Sequence, residues 1–246
     1  MDWSTKWEKF LSTMQSEYFQ KLLVTGLINT IKVAVLGLLI GILIGTIIAV
    51  IKVAPKYALV MRILDKACSV YVALFRGTPM VVQLLLAYYV LLPSLQIKDV
   101  NSITVGIIVF GMNSGAYVSE IMRGGINSVD KGQMEAGRAM GLSYAVTMIK
   151  IVIPQAIKNI LPTLGNEFIT LIKETSVLSF ITVYDLYTAL STIGSKNYEK
   201  MVPYLVMAAI YIILVLLITL LVYLLEKALS KSDKSATNKK ETAKGV

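Results

Sequence analysis

The stretch VAVLGLLIGILIGTIIAVI, residues 33–51, runs for 19 residues without a charge. About 20 apolar residues of α-helix cross a bilayer's hydrocarbon core, so this run reads as a membrane span. The pattern recurs along the chain: 100–119 is uncharged for 20 residues and 201–225 for 25. A fourth uncharged run, 77–97, contains Pro79 and Pro93. Proline removes a backbone donor and clashes with the preceding turn, so this span is expected to begin upstream, within 58–75, and to be trimmed or kinked. A fifth candidate, 150–181, is apolar yet carries Lys158, Glu167, Lys173 and Glu174, with Pro154 and Pro162 near its start. Charges at membrane depth set it against protein or water rather than lipid. The expected fold class is an all-α membrane protein with five transmembrane helices.

Composition agrees. Of 246 residues, 56% are hydrophobic and 16% charged, against about 45–50% and about 25% in soluble domains. With no His and one cysteine, Cys68, there is no imidazole base, no His-ligated metal and no internal disulfide; no metal site and no catalytic residues are expected. The net charge of +9 would suit nucleic acid, but its placement says otherwise. The connections 52–66 and 123–150 together with the C-terminal tail carry 14 Lys and Arg, whereas the opposite side carries 7. The positive-inside rule then puts the C-terminus in the cytoplasm and the N-terminus outside, and no nucleic-acid partner is expected.

Residues 1–21 lack the basic start, apolar core and small-residue cleavage site of a signal peptide. Trp3, Trp7, Phe10 and Met14 recur at helical spacing, so the segment is expected as an external amphipathic helix on the membrane interface, with a disordered terminus as the alternative. The five-helix transmembrane body spans 22–228, and the basic tail 229–246 has no apolar periodicity and reads as disordered in the cytoplasm. There is no internal repeat and no G-x-x-x-x-G-K-[ST] loop to cradle ATP phosphates.

The connection 123–150, RGGINSVDKGQMEAGRAMGLSYAVTMIK, is long for a structureless loop. Its helix formers end at Gly141, a stop signal, which predicts a short helix near 131–142. Small residues at 136, 137 and 139 leave a surface a partner can approach closely; the plainer reading is an interfacial helix that only turns the chain.

Glu135-Ala136-Gly137, Gly141 and then Ile151, Ile153 and Pro154 closely resemble the EAA loop of ABC importer permeases, E-A-A-x-x-x-G-x9-I-x-L-P. Gly137 stands where Ala is usual and Ile153 where Leu is usual. Four further segments are similar to the polar amino acid (histidine/glutamine/arginine-type) branch of that family: Phe75-Arg76-Gly77-Thr78-Pro79 with Val82-Gln83-Leu84, SGAYVSEIMRGGI from Ser114, GQMEA from Gly132, and LPTLGNEF from Leu161 leading to Ile172–Ser176. The resemblance implies the type I importer fold, with two five-helix permeases (a second copy or a paralogue), two ABC ATPase subunits that hold ATP and Mg, and an external solute-binding protein. It implies a transport subunit rather than an enzyme, in the bacterial cytoplasmic membrane, passing a polar or basic amino acid inward. Carried over, Glu135, Ala136, Gly137 and Gly141 would make the contact with the ATPase.

The intramembrane charges point the same way. Glu167 and Glu174 are seven residues apart, so at about 100° per residue they share a helix face, with Thr170 between them in the same sector. A carboxylate in a low-dielectric cavity holds an ammonium group through a charge-assisted hydrogen bond; the competing reading makes them structural partners of Lys158, Lys173 or a second subunit. Asn113 and Tyr117 are polar enough to line the path. Arg76, beside Thr78 and Pro79, either binds a carboxylate or serves as a gate or anchor, and snorkelling near a helix end favours the latter. Glu120 and Arg123 are spaced for a local pair, while Gly37, Gly41 and Gly45 form a small-residue packing ridge. A secondary amino acid carrier is the alternative; it predicts internal repeats or paired broken helices.

Overall fold

The computed structural model describes residues 2–242, with side chains to Ala228. The expected disordered tail, 229–246, lies outside the residues described in full. Among the described residues nine helices follow one another: α1 (Trp3–Met14), α2 (Glu17–Val53), α3 (Leu59–Gly77), α4 (Met80–Ser94), α5 (Ser102–Asn127), α6 (Lys131–Ala139), α7 (Tyr144–Ile181), α8 (Leu186–Lys196) and α9 (Met201–Thr242). α2, α5, α7 and α9 are each long and apolar enough to cross a membrane, and α3 with α4 makes a fifth if the bent pair counts as one span.

That pair bends by 106° at Thr78-Pro79, a sharper change than a kink. The residue before a proline is pushed to extended backbone, and Thr78 has φ −122° and ψ 143°. Pro79 then opens α4 as its N-cap. Pro93 and Pro154 act differently. Each follows a π-helical stretch, Leu86–Leu91 and Met148–Val152 respectively; a widened turn accommodates the carbonyl four residues back that proline cannot bond.

The centre of the bundle is the contact of α2 with α5, where small residues interlock from both sides. A Cβ on Gly41 would lie 2.6 Å from Ser114 Oγ, and one on Gly45 2.7 Å from Val118 Cβ. Reciprocally, Gly111 and Gly115 of α5 receive Ile40 and Ile44 of α2. Without water to drive helices together in lipid, such close approach is what associates them. Gly45→Leu is therefore expected to force the helices apart at a cost of about 3 kcal/mol, read as loss of the monodisperse peak in detergent size-exclusion chromatography; a normal profile would contradict the packing role.

Around this contact the buried side chains Val33, Leu84, Phe110, Leu171, Leu178 and Ile181 form the main core. A second cluster sits at the α1 end: Phe10, with Trp7 and Met14 beside it, packs on Phe19, Leu186, Leu190 and Val202. The apolar stripe of α1 is thus seated on protein, and Asn197 Nδ2 donates to Thr13 Oγ1 at 2.7 Å to tie the helix down. α8 is capped by Asp185, whose carboxylate accepts from the amides of Tyr187 and Thr188. Burial pushes that carboxyl above the usual carboxylate range, against the pull of those bonds.

Candidate functional site

The break between α3 and α4 opens a cavity of about 340 Å³ whose walls include Arg76, Thr78, Pro79, Asn113, Tyr117 and Glu174. Three separate elements deliver these groups: the end of α3 and the break, the middle of α5, and the end of α7. Side chains that were spread over 99 positions of the chain, from 76 to 174, meet at one point. The Arg76 guanidinium sits over the Tyr117 ring at 5.3 Å from its centroid, a cation–π geometry.

Asn113 is buried and its amide nitrogen donates to Gln83 Oε1 at 2.9 Å and to the Phe75 carbonyl at 3.3 Å. Gln83 Nε2 in turn donates to the carbonyls of Phe75 and Thr78 and to Thr78 Oγ1, at 2.8–2.9 Å. Those carbonyls are left over where α3 stops, because Pro79 prevents the helix from continuing. Gln83 was visible in the sequence only as part of a motif; its place at the break could have been found by asking which nearby side chain satisfies these carbonyls.

Glu167 lies deeper in the bundle, 9% exposed, and accepts a hydrogen bond from Ser114 Oγ at 2.9 Å. Thr170 is exposed and donates to the Asn166 carbonyl of its own helix, so the expected continuous polar stripe is interrupted: the 60° by which Thr170 is offset from Glu167, at 100° per residue, carries it off the buried face. Neither Glu167 nor Glu174 takes part in an ion pair among the described residues. Thr175 and Ser176, which follow Glu174, donate to the carbonyls of Ile172 and Lys173.

Next to this cavity, toward α6, a second of about 440 Å³ is lined by Glu120, Ser128, Asn159 and Thr163 and shares Arg76 and Tyr117 with the first. Glu120 and Arg123 form the pair expected from their spacing, at 2.6 Å, and Lys52 of α2 approaches the same carboxylate at 3.5 Å. Arg123 and Lys52 hold the Glu120 side chain across two helices. No cluster of three or more Cys, Asp or Glu side chains among the described residues could hold a metal ion.

The short helix α6 occupies the predicted place. Asp130 caps it by accepting from Gly132 N at 2.6 Å, and Gly141 closes it at φ +83°, the left-handed conformation that glycine adopts without penalty. Glu135 and Ala136 are exposed, Gly137 is buried, and Met140, which sequence reasoning did not single out, is 81% exposed. The departure from Ala at 137 has a cause: a Cβ there would lie 2.5 Å from Thr147 Cγ2. One side of α6 is thus pressed on α7 while the other, with Glu135, Ala136 and Met140, is left open.

Comparison with known proteins matches residues 37–231 to the family of binding-protein-dependent transport system inner membrane components. The chain is 38% identical over 213 residues to the putative glutamine transport system permease protein GlnP of Rickettsia prowazekii, covering 86% of this chain and 95% of that one. It is 35% identical to the arginine transport system permease protein ArtQ of Bacillus subtilis, covering 86% and 94%. Among solved structures, an amino acid ABC transporter crystallised with histidines matches with TM-score 0.79 and 40% identity over 89% of this chain and 98% of that one. The MetNI methionine transporter matches at TM-score 0.70 and 19% identity, a likeness of fold.

Proposed function

Since the chain belongs to the binding-protein-dependent transport system inner membrane component family, as a permease subunit of amino acid ABC transporters, we propose that its own substrate is a zwitterionic polar or basic amino acid held in the cavity at the α3–α4 break. One observation carries this reading: a guanidinium, Arg76, and a carboxylate, Glu174, line the same small cavity together with Asn113, Thr78 and Tyr117. An amino acid carries the complementary pair of charges, and each would be met by a charge-assisted hydrogen bond in a low-dielectric wall. Arg76 meets the carboxylate and Glu174 the ammonium group. Glu167, held by Ser114 behind this wall, contributes negative potential rather than direct contact.

The basic connections and tail put α6 and the C-terminus in the cytoplasm and α1 outside. The amino acid arrives from an external solute-binding protein and leaves through the second cavity, past Arg76 and Tyr117, toward the cytoplasm. A second permease, a copy or a paralogue, and membrane lipid cover the exposed apolar faces of α2 and α9, where Leu43 and Leu216 are more than 60% exposed. An ABC ATPase, which holds ATP and Mg, docks on the open side of α6 through Glu135, Ala136 and Met140, with Gly137 and Gly141 fixing the helix in place.

The test is uptake by proteoliposomes containing the permease with its ATPase and binding protein. ATP-dependent accumulation of at least one polar or basic amino acid from a panel of twenty is expected. Accumulation of none, or uptake that follows an ion gradient without ATP, would overturn the reading, the latter in favour of a secondary carrier.

A further inference from the structure

The polarity of the cavity wall at Asn113 is decided from outside the cavity. Main-chain carbonyls only accept hydrogen bonds. The end of Gln83 that lies 2.8 Å from the Phe75 carbonyl and 2.9 Å from the Thr78 carbonyl must therefore be its NH2. Its other end is then the oxygen, and that oxygen lies 2.9 Å from the Asn113 side chain. An oxygen facing Gln83 would leave two acceptors opposed, so Asn113 must present its NH2 there. The Phe75 carbonyl, 3.3 Å from the same nitrogen and already accepting from Gln83 at 2.8 Å, adds only a longer, weaker contact in the same sense. Asn113 Oδ1 is the remaining polar atom, on a residue that lines the cavity, and no described donor bonds to it.

We infer that Gln83 is a positioning residue for substrate recognition: it relays the hydrogen-bond polarity of the broken helix to Asn113, so that the cavity wall offers an acceptor, Oδ1, to the ammonium group of the substrate. The chain of direction runs from the carbonyls stranded by Pro79, through the Gln83 amide, to Asn113. Without it only the long contact to Phe75 orients the asparagine amide, and a turned amide offers an ammonium group a donor instead. Asn113 and Glu174 together then make an acceptor pair that suits a cation with several donors and disfavours an anion or a group without donors at the same place. The inference rests on the reading of this cavity as the amino-acid site.

The test uses the permease–ATPase complex in lipid nanodiscs, without binding protein, and measures by scintillation proximity the binding of radiolabelled arginine and glutamine. Competition by the des-amino counterpart of each gives the preference for the α-ammonium group. Wild type is expected to prefer the intact amino acid, and Asn113→Leu to lose about tenfold of that preference, one hydrogen bond to a charged group. Gln83→Met, which keeps the volume but has no amide, is expected to lose a similar factor. Because Gln83 acts through Asn113, adding Gln83→Met to Asn113→Leu is expected to cost no further preference, whereas a purely structural role at the break predicts a further loss in the double variant. Gln83→Met with undiminished preference, or a double variant whose losses add in full, overturns the positioning role while leaving the cavity reading intact. Wild type binding neither probe, nor the amino acid that the uptake panel selects, overturns the cavity reading and the inference with it.

Discussion

Glu135→Lys is expected to reduce ATP-driven uptake to background, roughly a 100-fold loss, in a permease that still reaches the membrane and co-purifies as a folded subunit. α6 is fixed on one side by the seating of Gly137 against Thr147 and at its end by the left-handed turn at Gly141. Arg138 strengthens that end by donating to the Leu142 carbonyl at 2.8 Å. Glu135 belongs to none of these contacts: it is exposed and makes no ion pair or hydrogen bond among the described residues. A substitution there leaves the permease's own packing alone and acts on whatever docks against α6. Reversing its charge turns any contact that favours a carboxylate there into a like-charge one, which costs several kcal/mol. ATP hydrolysis by the complex, followed beside uptake, should continue without driving transport. Normal uptake by Glu135→Lys would remove Glu135 from the coupling surface.

The ease with which the spans were read has a simple source. A membrane span is a statement about the absence of charge over a length, and residues 33–51 or 201–225 carry that statement in one dimension. The ridge Gly37, Gly41, Gly45 was similarly legible, because four-residue spacing alone puts small residues on one face; what the sequence could not supply was the answering ridge geometry, Ile40 and Ile44 entering at Gly111 and Gly115. The stop of α6 at Gly141 was readable from residue type, since few residues other than glycine take that backbone conformation readily. The bend was half legible. Pro79 announced a break, but its 106° depends on Gln83 and Asn113 satisfying the carbonyls that the break exposes, and those partners lie 5 and 35 residues from Thr78. The stripe Trp7, Phe10 and Met14 reads identically whether it faces lipid or protein, so its seat on α8 and α9 was invisible until tertiary structure supplied it. Thr170 failed for a related reason: a shared sector of a helical wheel is about 100° wide, and only packing decides which edge of it is covered.

The two intramembrane carboxylates separate on the same logic, and the difference is measurable. Glu174→Gln is expected to weaken amino-acid binding to the permease–ATPase complex by roughly 10- to 100-fold, the worth of about 1.5–3 kcal/mol for a hydrogen bond to a charged group. Glu174 lines the cavity with Arg76 and Asn113 and no cation pairs with it among the described residues, so the amide replaces a carboxylate whose charge is available to the ligand. At Glu167 the same change is expected to do less, within about threefold, because glutamine's oxygen can still accept from Ser114 Oγ and most of what that side chain contacts is protein. Glu167→Leu is the informative contrast: it strands the Ser114 hydroxyl within the close α2–α5 contact, opposite Gly41, where an unsatisfied buried polar group costs about 1–3 kcal/mol. Its signature is therefore a lower melting temperature of the detergent-solubilised complex, with the affinity of the folded fraction largely kept. If binding instead collapses in Glu167→Gln and survives in Glu174→Gln, the ammonium group sits one level deeper, at the Ser114–Glu167 pair, and the cavity at the break is a stage on the way to it.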